Sequence, residues 1–241
     1  MQFETGSDEH TDMQGVPYRS LLGGLLYLTG VRGDIAFAVG KLARFASNPA
    51  RVHWKMLKRV LAYVYTTRHR RLVFGGSADI DDLNPITVYT DADHAGDSDT
   101  ARSTTGIVIK VFGDTVWTKS KLQTKVSNAT GAAELNAIDM AVRKIINFRM
   151  ILEDMGYYQK TIPFFTDADV VVKMLERGYP STRTKHLIIP YYTVQEQVAS
   201  GDISVTHIPG VDNPSDICTK ALHRDTHEKH TAALLRDHLW T

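Results

Sequence analysis

Between Pro17 and Thr67 the apolar residues recur at helical spacing and predict three helices. The first begins at Pro17 and runs through Leu21, Leu22, Leu25 and Leu28. The second takes Asp34 as its N-cap, carries Ile35, Ala38, Val39, Leu42 and Phe45, and stops before Asn48-Pro49. The third places Trp54, Leu57, Leu61 and Val64 on one face. Residues 77–84 are small, polar and acidic and read as a linker. Beyond them the period changes. Ile86–Thr90 reads as a strand, as does Thr105–Val111 with Ile107, Ile109 and Val111 on one side. A Phe112-Gly113-Asp114 turn leads to a third strand, Thr115–Thr118. A long helix over 131–150 presents Leu135, Ile138, Val142, Ile145 and, just beyond it, Leu152. A strand at Ile162–Thr166, helices at Val170–Glu176 and Lys185–Ala199, a strand at Ile203–Ile208 and a helix at Asn213–Leu222 follow. The order β-β-β-α-β-α-α-β-α predicts an α/β fold: a mixed five-stranded sheet flanked by helices, preceded by a small all-helical unit. The expected divisions are a frayed terminus (1–16), a helical unit (17–76), the linker (77–84), the α/β domain (85–224) and a tail (225–241).

Composition narrows the classes. With 43% hydrophobic and 23% charged residues in 241, the chain is not expected to be disordered at large. A single cysteine, Cys218, excludes an internal disulfide and a multi-cysteine zinc site, and fits a reducing, intracellular setting. No apolar run is long enough to span a membrane, and the polar, acidic first dozen residues lack the character of a signal peptide. The net charge of +1 hides a segregation: Lys41 to Arg71 holds nine Lys and Arg residues and no Asp or Glu. Within it Arg51, Lys55 and Arg59 stand at i, i+4 and i+8, beside Lys58. This is either a solvated helix face or a surface for phosphates.

The acidic residues suggest chemistry. Asp91 follows the first strand and Asp167 the fourth, and these strands can be neighbours. Glu134 and Asp216 are expected in the first turns of the long and the final helix, where the dipole favours a carboxylate. Each alone is most simply a turn or capping residue. Together they can converge at one sheet edge. Clustered carboxylates repel and need cations, and hard oxygen ligands select Mg²⁺ or Mn²⁺, two of which suit in-line displacement at phosphorus.

At these residues the chain resembles the C-terminal part of copia-type retrotransposon polyproteins. The family pattern Tyr-Ser-Asp-Ala-Asp-Trp-Ala-Gly-Asp is matched by Tyr89-Thr90-Asp91-Ala92-Asp93-His94-Ala95-Gly96-Asp97, and Arg-Lys-Ser-Thr-Ser-Gly by Ala101-Arg102-Ser103-Thr104-Thr105-Gly106. Arg183-Thr184-Lys185-His186 and Ser215-Asp216-Ile217-Cys218-Thr219-Lys220-Ala221-Leu222 match two further segments. Tyr18–Leu28, Asp34–Val39 and His53-Trp54-Lys55 are similar to the end of that family's reverse transcriptase.

The resemblance implies a ribonuclease H-like domain after a helical thumb or connection unit. It implies hydrolysis of the RNA strand of RNA–DNA hybrids by two Mg²⁺ ions, with Mn²⁺ able to substitute. It assigns Asp91, Glu134, Asp167 and Asp216 as metal-binding and catalytic. The reverse transcriptase palm and fingers are the implied upstream partner, and no DNA synthesis is expected of this chain. Arg102, Ser103, Lys119, Lys121, Lys125, Arg183 and Lys185, with Arg51, Lys55, Lys58 and Arg59, are the candidate contacts to a hybrid or other duplex. The expected location is cytoplasmic, nuclear or within a virus-like particle. The family's Glu-Ala-Glu appears as Ala132-Ala133-Glu134, and Glu134 takes the ligand position because Leu135-Asn136-Ala137 continues as the family does. The rival reading is a non-catalytic nucleic-acid-binding or scaffold remnant. His207 is a further candidate for proton transfer, and Asp216 is preferred to the nearby Asp212.

Overall fold

The computed structural model describes residues 13–75, 85–97, 99–127, 129–178 and 188–237. The expected linker, most of the frayed terminus, and Arg183, Lys185 and His186 lie outside them.

Three helices open the chain: α1 (Tyr18–Leu28), α2 (Ala36–Ala43) and α3 (Arg51–Thr66). Tyr18, Leu22, Leu25, Ile35, Val39, Leu42 and Leu57 interlock as their shared core. Burying that many large aliphatic side chains, each contributing about 1.5–3 kcal/mol, holds the unit together. Two details depart from the periodicity. Leu61 is exposed, and Val60 and Tyr63 pack inward with Trp54 and Val64. Asp34 caps nothing: it lies in a 3₁₀ turn, Gly33–Ile35, that precedes α2. Arg32 donates to both of its carboxylate oxygens at 2.9 and 2.6 Å, and Tyr63 Oη donates to it at 2.8 Å. A buried acid with a guanidinium two residues away is drawn to that charge rather than to helix amides. The start of α3 is set instead by His53, whose Nδ1 accepts from the Ala50 N–H at 2.9 Å.

After a two-residue strand, β1 (Arg70–Arg71), the sheet begins with β2 (Ile86–Asp93), β3 (Thr104–Val111) and β4 (Asp114–Leu122). These form an antiparallel meander. The β3–β4 turn is Phe112-Gly113, both at positive φ (50° and 79°), the two-residue geometry that matches the twist of a hairpin. The helix α4 (Thr130–Asp154) leads to β5 (Ile162–Thr166), α5 (Asp169–Arg177), α6 (Ile188–Ala199) and β6 (Ile203–His207). The strand order is β4-β3-β2-β5-β6, with β5 parallel to both β2 and β6. Pro190 is the third residue of α6, where the missing N–H costs no helix bond.

One sheet face is sealed by α4, α5 and α6. Leu135, Ile138, Val142 and Ile145 of α4 meet Ile86, Val88, Ile107, Ile109, Ile162 and Phe164 of the strands. The second face holds a smaller cluster around Val108, which is why β3 is buried on both sides. Its cover comes from the expected tail: residues 224–234 form helix α7, and Leu234 and Leu235 pack with Ile217 and Cys218 over Val108. A strand β7 (Arg236–Asp237) then pairs antiparallel with β1. The helix expected over 213–222 is instead two 3₁₀ turns, Gly210–Asp212 and Pro214–Cys218. The helical unit rests on the sheet at β4, where Gly33 sits so close to Thr118 that a Cβ would come within 2.6 Å of its Oγ1.

This strand order, with helices on both faces and a small helical unit in front, is a ribonuclease H-like architecture.

Candidate active site

Four acids meet at one end of the central strands. Asp91 lies inside β2, not beyond it, because the strand continues to Asp93. Its partner across the ladder is Gly106. A Cβ on Gly106 would approach Ser215 O and Thr219 Cγ2 to 2.6 Å, so glycine lets the 3₁₀ turn at 214–218 close over the strand. Asp167 follows β5 directly, as expected. Asp216 is carried by the 3₁₀ turn and so lacks the α-helix dipole expected for it. Asn213 anchors that turn: its Nδ2 donates to Thr90 O at 2.9 Å, and its Oδ1 accepts from the N–H and hydroxyl of Ser215. Glu134 is the fifth residue of α4, past the first turn.

Asp91, Asp167 and Asp216 each offer an oxygen within 4.8 Å of the others. Glu134 is buried beside them, and its Oε2 has no hydrogen-bond partner. Burial, then the charges of Asp91 and Asp167, push the Glu134 carboxyl up to about 9. Burial and the Asp91 charge push Asp216 up to about 7, and the same two causes raise Asp167. Carboxylates so close and so poorly solvated ionise together only with added positive charge. An all-oxygen acidic donor set of this kind fits a hard divalent cation such as Mg²⁺ or Mn²⁺. The cluster is therefore capable of coordinating a divalent metal.

Two neighbouring side chains carry no role in the sequence reading. Thr219 Oγ1 donates to Asp91 Oδ2, and Lys220 Nζ lies 3.0 Å from Asp216 Oδ1 and 3.6 Å from Asp91 Oδ2. Their signal was their spacing, three and four residues beyond Asp216. Ala132, where the family has glutamate, packs in the main core, while Glu134 reaches the cluster. Asp212 is exposed and paired with Lys229 at 2.8 Å, away from the acids. His207 ends β6 opposite Thr166 in the register, next to Asp167 in the chain.

The basic candidates divide. Arg51, Lys55, Lys58 and Arg59 are exposed on α3, Lys119 and Lys121 on the edge strand β4, and Lys125 just beyond it. Lys119 and Lys121 thus belong to β4, which runs longer than the expected third strand. Lys121, Lys125 and Arg143 line an open groove of about 280 Å³ between β4 and α4. Ser103 is buried, and its hydroxyl accepts from the Ala95 N–H, so it braces the β2–β3 loop rather than facing a duplex. Arg102 is half-buried in the same loop, and its carbonyl accepts from the Asp97 N–H. Within the basic segment Lys41 and Arg44 pair with Asp97, and Arg70 with Glu228 and Asp237. Those three hold the fold together.

Fold and cluster define an α/β domain of ribonuclease H-like architecture with a candidate catalytic acidic site. No family model matches the chain. It is 34% identical over 225 residues to the retrovirus-related Pol polyprotein from transposon TNT 1-94 of Nicotiana tabacum, covering 93% of this chain and 17% of that polyprotein. It is 39% identical over 137 residues to the secreted RxLR effector protein 161 of Plasmopara viticola, covering 56% of this chain and 92% of that protein. A solved structure, LC11-RNase H1 in complex with an RNA/DNA hybrid, aligns with 56% of this chain and 93% of its own at 17% identity and a TM-score of 0.43. The chain is similar to a segment of the retrovirus-related Pol polyproteins of transposons and spans about a sixth of the length of the one from Nicotiana tabacum.

Proposed function

We propose that this chain is the ribonuclease H segment of a copia-type retrotransposon polyprotein and hydrolyses the RNA strand of RNA–DNA hybrids. The observation that carries the reading is the convergence of Asp91, Asp167 and Asp216 oxygens within 4.8 Å, beside buried Glu134. The stretches Tyr89–Asp97 and Ser215–Leu222 support the copia type.

Asp91, Glu134, Asp167 and Asp216 would together hold the divalent ions, with Asp91 central to the cluster. Mg²⁺, or Mn²⁺ in its place, supplies the Lewis acidity for phosphodiester hydrolysis when bound. The carboxylates orient that charge, and Thr219 fixes the Asp91 carboxylate by donating to it. His207, paired with Thr166 in the register and close enough for its charge to act on Asp167, is placed to take or give a proton there. The exposed Lys55, Lys58 and Arg59 of α3, and Lys119, Lys121 and Lys125 of β4 and just beyond it, hold the duplex by its phosphates with little sequence preference. In a full polyprotein the helical unit adjoins the polymerase palm and fingers.

The test is cleavage of a labelled RNA–DNA hybrid with Mg²⁺, comparing wild type with Asp91→Asn. Cleavage of the RNA strand by wild type alone supports the reading. Equal activity in both proteins, or equal cleavage of RNA–DNA, RNA–RNA and DNA–DNA duplexes, sinks it. Tight hybrid binding without turnover would indicate a non-catalytic remnant.

A further inference from the structure

Lys220 is the cation already inside the acidic cluster. Its Nζ stands 3.0 Å from Asp216 Oδ1 and 3.6 Å from Asp91 Oδ2, bridging the two acids. Asp91 Oδ2 also accepts from Thr219. The grip is loose. The Lys220 side chain is 41% exposed, whereas Arg32, paired with Asp34, is 6% exposed. Partly solvated ion pairs are weakly held, and an ammonium on a four-carbon stem swings without disturbing the backbone. Among the described residues no Lys or Arg forms an ion pair with Glu134 or Asp167. The cluster is therefore asymmetric: its Asp91–Asp216 side has a resident ammonium and its Glu134–Asp167 side has none.

Resting on the reading of these acids as a metal site, we propose that Lys220 is a displaceable counter-cation. It neutralises Asp91 and Asp216 while no divalent ion is held there, and an ion would bind between them only by displacing the ammonium into solvent. A divalent ion held by Asp91 and Asp216 would thus bind more weakly than one held by Glu134 and Asp167, where no ammonium has to leave. No covalent step is involved; one ammonium leaves two carboxylates and one divalent ion takes its place.

The experiment uses the whole chain and reads binding rather than turnover. Mn²⁺ is titrated calorimetrically into wild type, Lys220→Gln and Asp91→Asn. In parallel, wild-type lysines are acetylated with and without saturating Mg²⁺, and modification of Lys220 is followed by mass spectrometry. Lys220→Gln should tighten the weaker Mn²⁺ site by about tenfold or more and leave the tighter site within a few-fold. Acetylation of Lys220 should rise several-fold when Mg²⁺ is added, because its amine is released. Loss of any nearby positive charge also favours a cation, so the acetylation rate is what establishes displacement. It uses the native chain and decides the matter even where Lys220→Gln fails to fold. A Lys220 that acetylates no faster with Mg²⁺ overturns the proposal while leaving the metal site standing. Mn²⁺ binding absent from wild type, or equal in wild type and Asp91→Asn, removes the metal site itself and the proposal with it.

Discussion

Two groups of buried acids lie within this molecule, and they are treated oppositely. Asp34 and Asp97, in and against the helical unit, are surrounded by donors. Asp34 takes both arms of Arg32 and the Tyr63 hydroxyl, and Asp97 takes Arg44 and Thr100. Burial alone would raise Asp97, yet Thr100 and Arg44 together hold it below the usual carboxylate range. At the sheet edge burial and the charges of Asp91 and Asp167 outweigh the Ala92 backbone hydrogen bond and the Lys220 charge at Glu134, and its carboxyl moves up to about 9. The difference teaches that burial does not distinguish a structural acid from a functional one. What distinguishes them is whether the charges the fold supplies outweigh burial, as at Asp97, or fall short of it, as at Glu134.

Activity gives the sharpest way to break this contrast. Asp91→Asn should lower hybrid cleavage by about two to three orders of magnitude in kcat/KM while leaving the thermal midpoint near that of wild type. A variant retaining a tenth of the activity would place Asp91 with the structural acids. Next in size is Asp34→Ala, which strands Arg32 and should cost about 3–5 kcal/mol in urea unfolding. A loss under about 1 kcal/mol would show that Asp34 is not held as drawn.

Acidity separates the two groups in opposite directions. Glu134 is raised in the folded, metal-free protein, so the fold binds a proton there that the unfolded chain has lost. Metal-free stability should therefore fall as pH rises from its ordinary range toward about 9, and Mg²⁺ should flatten that fall. Asp97 has the reverse sign: its contribution is present above the unfolded carboxylate range and is lost as pH drops through its lowered value. Thermal midpoints across pH, with Mg²⁺ and with chelator, read both limbs. A metal-free midpoint that climbs between pH 6 and 9 contradicts the assignment of Glu134. The smallest effect belongs to α3. Replacing Lys55, Lys58 and Arg59 together by Gln should lower the slope of log affinity against log salt by about two to three, with the cleavage rate at saturation unchanged. An unaltered slope returns that face to plain solvation.

The five-stranded mixed sheet, the adjacency of its first and fourth strands and the meeting of Asp91, Asp167 and Asp216 were legible in the sequence because they rest on simple signals: alternation, helical spacing and acids at element boundaries. The misreadings have physical causes. Asp34 was read as a cap because nothing local shows that Arg32 folds back onto it. Asp216 sits in a 3₁₀ turn because Asn213 and Pro214 begin a tight turn, and Asn213 ties it to Thr90, far away in sequence. Helix α7 has no broad apolar stripe; polar His230 and Thr231 are buried in it beside Leu234, so its sequence resembled a tail. Lys220 escaped notice because its meaning depends on Asp91, which only the folded sheet brings near.

The pairing of Arg70 and Arg71 with Asp237 and Arg236 sets the order in which the molecule can be completed. The helical unit has its core within the first third of the chain, but the cluster on the second face of the sheet is covered in large part by Ile217, Cys218, Leu234 and Leu235, with Leu72 the one earlier residue outside the sheet that packs there among the described residues. Contacts across such sequence separation form late, after a large loss of chain entropy. Until then Val108 and its neighbours are an open apolar patch on a growing chain, vulnerable to association with other copies. The stretch that looks most dispensable in the sequence is thus the lid whose arrival ends the most aggregation-prone stage of folding.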